Sequence, residues 1–314
     1  MEIVTESRVI TCKYCGSTAV VKFGTYKNIQ RYWCKTCRRK FADNQAMPNR
    51  RVPPEQVGAA ISMFFKGLSY EDVRQEMKNV YGFSPSKSTL YKWVTQYSKQ
   101  AVNIADNQKV DGGELWAVDE MFVKTDEGKT LYVFDVMSEN NRYLLASYAS
   151  EYRTTKAAEI ALNQALSRAK HSPKFVVSDH LRSYEDATER VFGSETKHIQ
   201  ADGLTAEVHN NVVERLHGTI REREKVLRAL KNQETAQVFL DGWRLNYNYF
   251  KPHFSLNDKT PAEVAGVERP FTDWKQVAGM RPSKVFIKAR KQKVGNSVRP
   301  VFGPSPKQIL KRLG

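Results

Sequence analysis

The chain has 314 residues, with 50 Lys and Arg against 34 Asp and Glu and a formal charge of +16. An apolar content of 40% with 11% aromatics can fill a sizeable core, which excludes a disordered chain, and so large a cationic excess points to a polyanion, nucleic acid first. No apolar run approaches the roughly 18 residues of a membrane span, and the start MEIVTESRVI lacks the regions of a secretion signal, so an intracellular protein without a membrane partner is expected.

The first element is defined by cysteines. Cys12 and Cys15, then Cys34 and Cys37, form two pairs with a two-residue gap inside each and eighteen residues between the pairs. That gap lets both thiolates of a knuckle face one ion, and two knuckles complete the sulfur shell of a structural zinc. Two disulfides are the competing use, which a reducing compartment disfavours. TAVVKFGTYKN and QRYWCKTCRRKF have the β-branched and aromatic content of short strands separated by a turn at Lys27-Asn28. Residues 1–45 are therefore expected to be a zinc ribbon with one Zn²⁺. Its cations, Arg38 and Arg39 among them, are candidates for phosphate contact.

The period then becomes helical. PPEQVGAAISMFFKG starts with prolines and stops at Gly67, and SYEDVRQEMKNVYG has Ser69 as a candidate N-cap with Asp72 three residues on. A third helix, SPSKSTLYKWVTQYSKQAVNIA, carries Leu90, Trp93, Val94 and Tyr97 on its inner side. Three short helices with a basic, hydroxyl-rich start to the last describe a helix-turn-helix over 52–105. Lys87, Ser88, Thr89, Tyr91 and Lys92 are then the expected DNA readers in the major groove, with a packing bundle as the alternative.

From Leu115 the texture is that of strands. LWAVDEMFVKTDEGKTLYVFDVMSENNRYLLASYAS predicts an antiparallel meander of three. The helix TTKAAEIALNQALSRAK, the strand KFVVSDH, the helix SYEDATERVFG, the strand TKHIQ and the helix NNVVERLHGTIREREKVLRAL follow, giving an α/β class with a mixed sheet flanked by helices. Asp119 and Asp179 each end an apolar strand, and Glu214 lies early on the last helix, at the edge of its apolar stripe. Singly, each has a bland explanation: strand-terminal Asp suits turns, and an early helical Glu suits the helix dipole. Glu120 and Asp135 compete with Asp119 for the first position, Glu207 and Glu222 with Glu214 for the third. His180, His209 and His217 are plausible near phosphate.

The order Asp119, Asp179, Glu214, with 34 residues between the last two, resembles the DDE transposases of prokaryotic insertion sequences. The resemblance runs through the ribbon and helix-turn-helix, WAVDE, VVSDHLRSYEDA, NNVVERLHGTIRER and NYNYFKPHFSLNDKTPAEVAG. It implies a ribonuclease H-like core, shared with retroviral integrases, over 114–267. It implies that Asp119, Asp179 and Glu214 are catalytic and hold two Mg²⁺ or Mn²⁺ ions, and that Asn211, Arg215 and His217 match family positions beside the Glu, Arg215 being a candidate DNA contact. Implied partners are duplex DNA, as element ends and target, and further copies of the chain in a dimer or larger synaptic complex. A domesticated DNA-binding regulator without strand transfer is the alternative, and a ribonuclease H or junction nuclease is weakened by the two N-terminal modules. Residues 268–314 are expected as a basic extension: from Lys275 to Gly314 there are eleven Lys or Arg and no Asp or Glu.

Overall fold

A computed structural model of the chain describes residues 9–280 except 27, 49, 180–181, 202–210 and 228–231, and leaves aside the side chains of 211–212 and 223–227. His180, Glu207, His209 and the basic stretch 281–314 lie outside the described residues. The N-terminal strands β1 (Val20–Tyr26), β2 (Ile29–Cys34) and β3 (Lys40–Ala42) form an antiparallel sheet in that order. The expected turn is there, with Asn28 at φ 61°. A bulge between Lys22 and Thr25 was not legible in the sequence; Gly24, at φ 69°, supplies the conformation it needs. One face of this sheet covers buried Cys12, Cys34 and Phe41, with Ile10, Tyr14, Val20 and Tyr32 packed around them.

Three helices follow: α1 (Pro54–Phe65), α2 (Tyr70–Tyr81) and α3 (Lys87–Ala105). Ser69 and Asp72 close a capping box on α2, and Gly82 ends that helix in the left-handed conformation. α1 has Pro54 in its first turn and is followed by Gly67 at φ 120°. On α3, Leu90, Val94 and Tyr97 are buried as the helical period requires, whereas Trp93 is half-buried against Phe83, their rings 6.4 Å apart.

The larger sheet has the order β6-β5-β4-β7-β8, built from β4 (Leu115–Lys124), β5 (Thr130–Ser138), β6 (Leu144–Ser150), β7 (Phe175–Ser178) and β8 (Lys197–Gln200). β4, β5 and β6 are the antiparallel meander, while β7 and β8 run parallel to β4. α4 (Thr155–Arg168) and α5 (Arg182–Phe192) make the crossovers, and α6 (Asn211–Leu227) and α7 (Gln233–Tyr249) pack on the meander strands. This strand order, with three antiparallel strands followed by two parallel ones, is the mixed sheet expected of a ribonuclease H-like core. α8 (Pro261–Val264) begins with the expected capping box of Thr260 and Glu263.

The helical unit and the core are joined by aromatic packing. Phe65 stacks on Trp274 with ring centroids 5.2 Å apart, and Phe64 and Phe65 both meet Phe239 of α7. Trp274 begins α9 (Trp274–Gly279), a helix not predicted from the sequence and lying within the stretch expected as a basic extension. A Cβ at Gly58 would stand 2.5 Å from the backbone of Lys275, so only glycine permits this approach of α1 to α9.

Candidate active site

Two ligand clusters emerge. In the ribbon the four cysteine sulfurs lie within 4.8 Å of one another, with Cys12 to Cys37 and Cys15 to Cys34 each at 3.6 Å. Disulfide bonding needs about 2.05 Å, and all four are free, whereas sulfurs about 2.3 Å from a tetrahedral zinc stand about 3.8 Å apart. Gly16 and Arg38 follow the knuckles with φ of 76° and 56°, their amides bonding back to the Cys12 and Cys34 carbonyls. The Cys37 amide, the largest influence on Cys34, helps hold that thiol down to about 6. The sequence-predicted set Cys12, Cys15, Cys34 and Cys37 is therefore brought together at sulfur separations compatible with a zinc ion.

The second cluster forms where β4 and β7 end. Their parallel register pairs Ala117 with Val177, and two residues further along it Asp119 stands beside Asp179. Carboxylate oxygens of Asp119, Glu120 and Asp179 lie within 4.8 Å of one another, the one acidic group of this kind among the described residues. Ser178 steadies the turn, its hydroxyl bonded to the Asp179 carbonyl and at 2.8 Å from His198 of β8. Glu120, a rival candidate in the sequence, is ion-paired with Arg153, while its Oε2 is buried without a hydrogen-bond partner. Three carboxylates meeting at part-buried positions fit a hard divalent cation, which takes oxygen ligands.

Asp119 is the electrostatic centre. Burial raises its carboxyl to about 6 against the opposing pull of His217, and Glu120 and Asp179 add to the rise. A cation at this point would relieve that cost directly. Behind it stands Asp135, its cross-strand partner, with no exposed surface. His217 bridges the two, Nε2 at 3.1 Å from Asp135 and Nδ1 at 3.4 Å from Asp119. Burial alone would lower the His217 pKa, but the two carboxylates outweigh it and raise it. Sequence reasoning placed His217 near phosphate; its 82-residue separation from Asp135 gave no sign of this pairing.

α6 seats Val213, Leu216 and Ile220 in the core, as its apolar period predicts. That register turns His217 toward Asp119 and leaves Glu214, one turn earlier, exposed and outside the three-acid cluster. Arg215 is exposed beside it, and Glu222, the alternative third acid, lies further along the helix. The expected DNA readers stand at the start of α3: Lys87, Ser88, Tyr91 and Lys92 are exposed and Thr89 is half-buried. Two of them have structural duties. Lys87 is ion-paired with Glu71 of α2 at 2.9 Å, and Thr89 bonds to Ser86, the N-cap of α3, which sequence reading had not singled out. Arg38 and Arg39 are exposed on the ribbon, Arg39 lying over the Tyr14 ring.

Residues 113–253 match the family model DDE_Tnp_IS240, described as a DDE domain. No curated protein sequence matches the chain. Among solved structures it is similar to the HTLV-2 integrase catalytic core in complex with magnesium, at 14% identity and a TM-score of 0.39 over 50% of this chain and 99% of that one. It is also similar to the simian T-cell lymphotropic virus intasome with a PP2A regulatory subunit, at 10% identity and a TM-score of 0.40 over 68% of this chain and 76% of that one. A third is the bovine immunodeficiency virus (BIV) integrase core, at 15% identity and a TM-score of 0.36, covering 48% of this chain and 93% of that one.

Proposed function

We propose that this chain, whose residues 113–253 match a DDE domain, is a polynucleotidyl transferase and endonuclease that mobilises its own DNA element. On this reading it binds the element's terminal repeats, cleaves a strand to free a 3′-OH, and joins that hydroxyl to target DNA. The observation that carries the reading is the meeting of Asp119 and Asp179 at adjoining strand ends inside the matched domain. Asp119, Asp179 and Glu214 are proposed as the catalytic acids and would together hold two Mg²⁺ or Mn²⁺ ions. Two such ions neutralise charge on the attacking and leaving oxygens of an in-line displacement.

The chain's own residues prepare the site. His217, backed by Asp135, fixes the orientation of Asp119, and Arg153 pairs with one oxygen of Glu120, which stays within the acidic cluster. Glu214 is exposed, so its joining of the site is proposed to accompany DNA and cation binding. Arg215 is proposed to contact the bound strand. Residues 1–45 as a zinc ribbon with one Zn²⁺ and 52–105 as a helix-turn-helix supply the DNA-binding modules, with Arg38, Arg39, Lys87, Ser88, Thr89, Tyr91 and Lys92 at the DNA. Two element ends handled together call for at least a dimer. Among the described residues no helix is long and apolar enough to cross a membrane.

The test is a duplex carrying the element's terminal sequence, incubated with the full chain and Mg²⁺. The expected product is a nick with a 3′-OH at the element end, absent with chelator. Tight, sequence-specific binding without any cut would favour a regulator and overturn the reading.

A further inference from the structure

The ribbon sheet has a second face that the metal core does not use. Trp33 is paired with Val21 on one side and Lys40 on the other, so these side chains share the surface opposite Tyr32 and Phe41. Phe23 joins them, its ring 6.4 Å from Trp33 and tilted by 36°. Lys40 Nζ lies 3.8 Å from the Phe23 ring centre, and the Arg31 guanidinium lies 5.7 Å from Phe23 and 6.0 Å from Tyr26. Phe23 is 38% exposed and Tyr26 61%. From Cys12 to Ala42 the sequence has eight Lys or Arg and no Asp or Glu.

From this face we infer a binding site for an unpaired DNA strand, with bases stacked on Phe23 and Trp33 and phosphates held by Arg31 and Lys40. The apolar core of the ribbon lies on the other side and its fold is closed by the four-sulfur cluster, so this face adds only surface cation–ring and ring–ring contacts and leaves Phe23 open to a ligand. Interleaved rings and cations are the combination that binds single strands: each base presents a π-face, and each phosphate finds a positive partner. Duplex DNA cannot use the rings, because its base faces are already stacked on one another. A strand laid across the sheet has both. That the ligand is DNA and not RNA rests on the reading of the core as a DNA-acting enzyme; the stacking itself is independent of that reading.

The experiment uses the full chain, loaded with zinc, and a fluorescent oligo-dT of about 15 nucleotides, a length near the site sizes of single-strand binders. Anisotropy gives affinity for the strand, for a random duplex of equal length and for oligo-U. The variant Phe23→Leu with Trp33→Leu keeps apolar volume but removes both rings. It is expected to lose about tenfold or more in affinity for oligo-dT, with duplex binding and zinc content unchanged. Trp33→Phe keeps a ring, so it should retain strand affinity while losing the fluorescence quenching that oligo-dT causes in the wild type. Equal losses on strand and duplex, or no loss on the strand, would overturn the proposal, as would zinc loss in the Leu variant together with full strand affinity in Trp33→Phe without any change in quenching. Tighter binding of oligo-U would overturn the choice of DNA. Asp119→Asn should bind the strand as the wild type does, so a failure of the proposed catalytic function would leave this result standing.

Discussion

Asp135 is fully buried, and one of its oxygens is held by His217 while the other has no hydrogen-bond partner. Removing the imidazole leaves a buried carboxylate without its cation, which costs about 3–5 kcal/mol. His217→Leu should therefore lower the urea midpoint of the metal-free chain, and Asp135→Leu in the same chain should restore part of the loss. The pH dependence has a definite sign. The folded pKa of His217 is raised above its usual 6.5, so the stabilisation is fully present below that value and is lost as pH rises through the folded one. The gap between wild type and His217→Leu, measured in chelator, should be larger at pH 6 than at pH 9; a constant gap would assign His217 a packing role only. Along the chain this histidine was visible as a residue near phosphate, and Asp119 and Asp179 as strand-terminal acids. The Asp135 contact was not, because it depends on how α6 settles on β4 and β5, with Asp135 lying 82 residues away in sequence. For the same reason the apolar stripe of α6 was legible while the outward position of Glu214 was not.

Secondary structure elements read well from local signals and poorly from distant ones. Ser69 with Asp72 and Thr260 with Glu263 announce helix starts by their own spacing, and the meander follows from alternating apolar residues. α9 has six residues and almost no period, and its Trp274 is held between Phe65, more than 200 residues earlier in sequence, and Asn246 and Phe250 at the end of α7. The end of α3 is tied to the core in a comparable way. Asp106 caps α3 and bonds to Arg244 of α7 and Arg168 of α4 at 2.7 and 3.0 Å. Burial raises the Asp106 carboxyl, but the two guanidinium groups outweigh it and hold it below its usual value. A lowered carboxyl contributes stability that is present above the ordinary Asp range and is lost as pH falls through the folded pKa. Asp106→Asn should cost about 3–5 kcal/mol at neutral pH, since Arg244 is 2% exposed and would lose its counter-charge. Denaturant unfolding near pH 7 and below pH 4 checks this, and the difference should shrink in acid. In the ribbon, Cys12→Ser or Cys34→Ser should release about one zinc per chain and unfold the module, because structural metal supplies most of the folding energy of so small a unit. Metal analysis finding no zinc in the wild type would refute the assignment.

At the scale of the whole molecule, charge and chemistry are divided. The cations are spread over the ribbon, the helical unit and the stretch after Lys275, while three acids, Asp119, Glu120 and Asp179, meet where the interior strands β4 and β7 end. Binding to duplex DNA should weaken steeply with salt as counterions are displaced. Deleting residues 281–314 should lower that salt slope and leave preference for the terminal repeats intact; lost preference with an unchanged slope would put base readout in the deleted stretch. Net charge alone leads to the expectation of a polyanion partner, but the docking of α1 on α9 depends on a glycine whose missing Cβ meets a backbone far along the chain. The central claim is that Asp119, Asp179 and Glu214 cut DNA with a divalent cation. Its most direct test is strand cleavage of an element-end duplex in Mg²⁺ by Asp119→Asn, Asp179→Asn, Glu214→Gln and Glu120→Gln, each beside a gel shift on the same DNA. The account predicts no cutting by the first three with near wild-type binding, since an amide keeps shape but loses the charge that holds the ion, and residual cutting by Glu120→Gln, one of whose oxygens is engaged by Arg153. Near-normal cutting by Glu214→Gln together with none by Glu120→Gln would contradict it and give the third position to Glu120.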